Sequence, residues 1–93
     1  MTTIVAIPEE VVNRVQALDI ETESRKNLIA YMLSSNLTTA TEQFEAYQKE
    51  YRDFYYQFDI AKSEIERDYV RTAIENPIRW ELNYSTGEVT IYH

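Results

Sequence analysis

Phe44, Tyr47, Tyr51, Phe54, Phe58, Ala61 and Ile65 recur at steps of 3, 4, 3, 4, 3 and 4, the interval that keeps one apolar seam turned toward a neighbouring helix. A chain carrying this seam is committed to helix-on-helix packing through its second half. Its 93 residues leave room for one domain with one modest core, of the size that partners or oligomers often supplement. The seam is a packing or docking surface, and it specifies no reaction.

Breakers divide the rest of the chain. Gly87 is its only glycine, and Pro8 and Pro77 its only prolines, so flexible linkers and glycine loops that cradle phosphates are excluded. Residues 2–7, Thr-Thr-Ile-Val-Ala-Ile, read as a strand or apolar arm. Pro8 followed by Glu9 and Glu10 marks the first turn of a helix over residues 9–35, with acids at its positive end. Val11, Val15, Leu18, Ile29, Met32 and Leu33 share a broad face of it. Thr39 with Glu42 forms a capping box opening a second helix over residues 39–75, which Asn76-Pro77 stops. Alternation at Trp80, Leu82, Tyr84, Val89 and Ile91 around Ser85-Thr86-Gly87 predicts a β-hairpin over residues 79–92.

The expected fold is therefore α+β and mostly α: a long antiparallel helical hairpin with a C-terminal β-hairpin. At 1.5 Å per residue the second helix outruns the first by roughly 14 Å, which brings the arm beside the β-hairpin. A lone hairpin is marginal, so Ile4, Val5 and Ile7 are expected to pack on it or pair with it. Otherwise Glu88 to His93 would leave an edge open to an extended peptide. Beyond Ile65 the seam positions fall on Asp68 and Thr72 while apolar residues move to Tyr69, Val70, Ala73 and Ile74, a rotated face suited to covering the sheet.

With the helices pivoting near Leu37, residues 19–27 lie opposite residues 47–55. The first stretch has Ile20 as its single apolar residue, whereas the second carries Tyr47, Tyr51, Phe54 and Tyr55. Two readings follow. Arg25 and Lys26 lay their stems across the rings, or the rings, with Tyr56 and Phe58, form a partner-binding surface. A homodimer that buries two seams as a four-helix bundle is a third outcome.

The residues offer little chemistry. There is no cysteine, which excludes disulfides, thiolate metal sites and cysteine nucleophiles. His93, the one histidine, sits at the last position and is read as too mobile for catalysis. Glu64 with Asp68, and Glu42 with Glu45, read as solvated-face carboxylates rather than metal ligands. No catalytic, cofactor-binding or metal-binding residue is expected. Sixteen acidic and nine basic residues give a net charge of −7, which opposes direct nucleic-acid binding. That charge suits an alternative role, an acidic phage or mobile-element inhibitor that blocks a basic protein surface. With no apolar run long enough for a signal or a membrane span, the reading is a soluble, cytoplasmic protein.

A helix carrying Glu23-Ser-Arg-Lys-Asn-Leu28, a second long aromatic helix, and the terminal run Trp80-Glu-Leu-Asn-Tyr-Ser-Thr-Gly-Glu-Val-Thr-Ile91 resemble small accessory proteins encoded beside radical-SAM enzymes that modify or splice ribosomal peptides. The resemblance spans most of the chain. It implies a non-catalytic accessory subunit or adaptor that binds the radical-SAM enzyme and helps present its precursor peptide. The winged helix-turn-helix module common in such pathways has three short helices, which this chain lacks, and no catalytic residue carries over. The structural homo-oligomer and the acidic inhibitor remain the alternatives.

Overall fold

A computed structural model describes residues 1–35 and 42–93 of the chain. In chain order it contains β1 (Thr2–Ala6), α1 (Glu9–Ser34), α2 (Glu42–Ile65), a π-helical turn (Glu66–Val70), β2 (Arg79–Asn83) and β3 (Glu88–Tyr92). The architecture is α+β and mostly α, an antiparallel pair of packed helices with a three-stranded antiparallel sheet. Thr39 of the capping box, the connection at residues 36–38 and the pivot at Leu37 lie outside the described residues. The described residues form two compact units, Met1–Gln16 with Ile60–His93, and Ala17–Asp59.

The first unit holds the sheet, in the order β1-β3-β2. The arm pairs with the hairpin as its composition implied: Ile4 lies opposite Thr90 and Val5 opposite Val89. That pairing closes the edge that an unpaired arm would have left open. β3 is the central strand, flanked by β1 and β2, so Glu88 to His93 offer no free edge to a peptide. Side chains alternate as a one-sided antiparallel sheet requires. Thr3, Val5, Trp80 and Leu82 are half-buried, and Val89 and Ile91 are fully buried. On the opposite face Arg79 stacks over the Tyr92 ring at 4.1 Å and pairs with Glu81.

The β2–β3 loop spans Tyr84 to Gly87 and is one residue longer than the turn predicted from sequence, because Asn83 already faces Glu88. The Asn83 Oδ1 accepts from the Ser85 and Thr86 amides, an Asx-type turn that ends the strand early. Gly87 then takes φ +70. His93 is not free: its amide donates to the Met1 carbonyl, and its ring lies 2.8 Å from the Thr3 hydroxyl.

The first unit's core comprises Ile7, Val12, Val15, Ala61, Ile65, Val70, Val89 and Ile91. Its least expected element is the π turn. The second helix does not run as α-helix to Glu75; α-helix ends at Ile65, and the Arg71 amide then donates to the Glu66 carbonyl at 2.8 Å, five residues back. Five residues of α-helix would turn about 500°, leaving Val70 about 140° from Ile65. Both are fully buried. The wide turn absorbs the extra residue and returns Val70 to the buried side. A last turn closes with the Ile74 amide on the Val70 carbonyl at 2.9 Å, before Pro77.

Candidate docking surface on α2

All six aromatic residues singled out from sequence belong to the unit Ala17–Asp59, and their placement divides them. Tyr47, Tyr51, Phe54 and Phe58, on the seam, are half-buried. Tyr55 is 54% exposed and Tyr56 67% exposed. At about 100° per residue, Tyr55 borders the seam about 40° from Tyr51, whereas Tyr56 lies about 160° from Phe54 and Phe58.

Arg25 accounts for the partial cover over the seam. Its guanidinium lies 4.6 Å from the Phe54 ring centroid, and it pairs with Glu21 on its own helix and with Glu50 of α2. A planar cation can cap a ring and hold two carboxylates at once. So a polar stretch of α1 shields one ring of the aromatic helix. Thr22, the buried polar residue in this stretch, satisfies its hydroxyl on the Leu18 carbonyl at 2.7 Å. Tyr47 accepts a 2.8 Å hydrogen bond from Gln43.

Tyr55 and Tyr56 lie outside that cover. Tyr51 and Tyr55 meet at a tilt, with ring centroids 6.0 Å apart. With Arg52, Tyr56 and Asp59 they line an open groove of about 430 Å³. A second groove, of about 290 Å³, is lined by Lys26, Ile29, Gln48, Tyr51 and Arg52. Tyr51 and Arg52 belong to both, so the two form one continuous surface. It combines apolar rings, hydroxyl tips and a few charges, the composition favoured in the centres of protein interfaces.

Sequence reasoning missed a second apolar stripe. Ile20, Leu28 and Tyr31 are exposed, and helical geometry puts them within about 80° of one another on α1, opposite Ile29. Apolar residues on two opposed faces leave no dominant periodicity to detect. Ile20, the one apolar residue expected to face the rings, belongs to this outer stripe, and Leu33 is likewise exposed.

Among the described residues no cluster of three or more histidine or acidic side chains could hold a metal. Glu64 pairs with Arg14 at 3.1 Å, and Asp68 bonds Arg67 at 2.8 Å. The Arg67 hydrogen bond holds the Asp68 carboxyl below its ordinary range, and the same bond raises Arg67. These are ordinary surface ion pairs. No helix among the described residues is long and apolar enough to cross a membrane. Compared with protein-family models, curated proteins and solved structures, the chain finds no match.

Proposed function

We propose that this chain is a non-catalytic, cytoplasmic accessory subunit that docks on a larger protein through the aromatic face of α2. The observation that carries the reading is the exposure of Tyr55 and Tyr56 beside a groove they share with Tyr51 and Arg52. Burying an exposed ring of this size in an interface is worth about 1.5 to 3 kcal/mol. Two or three such rings are enough to anchor a standard interface, whose binding energy sits in a few aromatic and arginine residues.

The resemblance in the order of helices and hairpin supports a specific partner class, a radical-SAM enzyme that modifies a ribosomal precursor peptide. The acidic-inhibitor alternative gains less support. Several carboxylates pair with arginines of the same chain, Glu64 with Arg14, Glu66 with Arg71, and Glu81 with Arg79, which weakens any phosphate-like array.

The test is calorimetric titration of the chain with a radical-SAM enzyme encoded beside it. A one-to-one complex is expected, weakened about tenfold or more by Tyr55→Ala or Tyr56→Ala. Glu45→Gln should leave it unchanged. Equal losses from all three variants would overturn the aromatic-face reading.

A further inference from the structure

The sheet has two outer edges, and they are not alike. Met1 and His93 bond each other's backbone in both directions, at 3.0 Å each way, and the Ile7 amide donates to the Gly87 carbonyl at 3.0 Å. The β1–β3 register then makes Thr3 and Val5 the residues whose backbone groups face β3. In an antiparallel ladder the alternate residues turn their N–H and C=O the other way. For Thr2, Ile4 and Ala6 that direction is the open edge, where no hydrogen bond occupies them among the described residues.

Edges exposed like this are ordinarily blunted by charge or proline. The β2 edge is: Arg79 and Glu81 lie along it. From Met1 to Ile7 the β1 side has no charged side chain and no proline. Ile4, its central residue, is 62% exposed.

We infer that β1 pairs with β1 of a second copy of this chain, antiparallel about a two-fold axis through Ile4. The occupant follows from the pattern of the strand itself. With Ile4 opposite Ile4, Thr2 falls opposite Ala6, and every outward-facing residue meets another outward-facing residue, so each donor finds an acceptor. Thr3 and Val5 meet Val5 and Thr3, continuing the half-buried face across the join, and the exposed Ile4 side chains cover each other. The net charge of −7 does not oppose this contact locally, because the strand is uncharged. The result is a six-stranded sheet with an isologous interface. This surface is separate from the aromatic face of α2, and the inference does not rest on the proposed function.

Five residues of edge are few beside the roughly 1,600 Å² of a standard interface, so association on the order of 100 µM is expected. Sedimentation equilibrium from about 10 µM to about 1 mM spans that range. The weight-average mass should climb from 11.0 kDa toward twice that value. Ile4→Pro removes an outward amide and no bond to β3, a position an edge strand tolerates, and Ile4→Lys adds the missing charge. Both should remain monomeric throughout, with unchanged circular dichroism, while Ile78→Lys near the other edge should dimerise like the parent. Hydrogen exchange should show the Thr2, Ile4 and Ala6 amides protected only at high concentration, and those of Thr3 and Val5 at every concentration. A parent chain monomeric at the highest concentration overturns the inference. So does a dimer that survives both Ile4 variants, or one abolished by Tyr55→Ala instead.

Discussion

Deleting Arg67 should cost this protein little, although the deletion falls inside a helical segment. Ile65 and Val70 are five residues apart and both fully buried, whereas a regular α-helix would set them about 140° apart. Removing one residue between them makes the spacing four, about 40° apart on a plain α-helix, and Tyr69 and Ala73 fall on the seam's next two positions without a wide turn. Arg67 is mostly exposed and bonds its neighbour Asp68, so its own loss is minor. The expected change in unfolding free energy is within about 1 kcal/mol, or a Tm shift under about 8 °C for a chain of this size. Ile65→Ala is the yardstick: a fully buried side chain whose truncation costs about 2 to 5 kcal/mol. Urea unfolding followed by far-ultraviolet circular dichroism measures all three proteins. If the deletion costs as much as Ile65→Ala, the extra residue is not a phase correction and the account of the π turn fails.

Gly87→Ala should destabilise by about 1 kcal/mol through the backbone alone. A β-carbon there meets Val12 at an ordinary 3.5 Å, while the φ of +70 is the strained feature. Gly87→Asn, better suited to that conformation, should lose less in the same thermal melt. Arg25→Ala should cost about 1 kcal/mol by uncovering Phe54 and freeing Glu21 and Glu50. Arg25→Met, which keeps the stem, should recover part of this in urea titrations. Asp68 has a lowered folded-state pKa, set first by its hydrogen bond to Arg67. Its contribution is therefore present above the unfolded value of about 3.9 and is lost as pH falls through the folded value. Asp68→Asn should flatten the acid limb of the urea midpoint against pH below about pH 4 and leave the neutral region nearly unchanged.

Period and punctuation made the elements legible. The seam from Phe44 to Ile65, the alternation around Trp80 and Ile91, and the β-branched arm each follow from one local repeat, and the helical pair and sheet follow from them. That the arm would reach the hairpin was legible too, because a lone two-stranded hairpin is marginal; that it would pair as a strand rather than pack across the sheet was not. The π turn was visible only as a shift in phase at Tyr69 and Val70. The sequence shows that the apolar face moves, but whether the backbone rotates away or widens to bring it back depends on what lies across the core. Tethering of His93 was hidden for a related reason, since it depends on a register between Met1 and His93 that no local pattern encodes. In the candidate site, the partial cover of the rings was legible from the polar run opposite them. That Arg25 would choose Phe54, leaving Tyr55 and Tyr56 outside, was not, because a long side chain can reach any of several rings.

Burial is divided unequally between the two units, and this bears on where a partner would act. Among the described residues Ile65, Val70, Val89 and Ile91 are fully buried, all in the unit that contains the sheet. Among the described residues of the unit Ala17–Asp59, Met32, Phe44 and Thr22 are buried, and Ile20, Leu28, Tyr31, Leu33, Tyr55 and Tyr56 are exposed. Local opening free energy follows buried apolar contact, so amides around Thr22 and Tyr51 should exchange with deuterium well before those of Val89 and Ile91. A protein that covered the α2 rings would supply the burial this segment lacks, and slowed exchange there on complex formation would register it directly. Exchange around Tyr51 as slow as that of β3 in the isolated chain would mean that the helices already have all the cover they need, and the argument for an outside partner at these rings would fail.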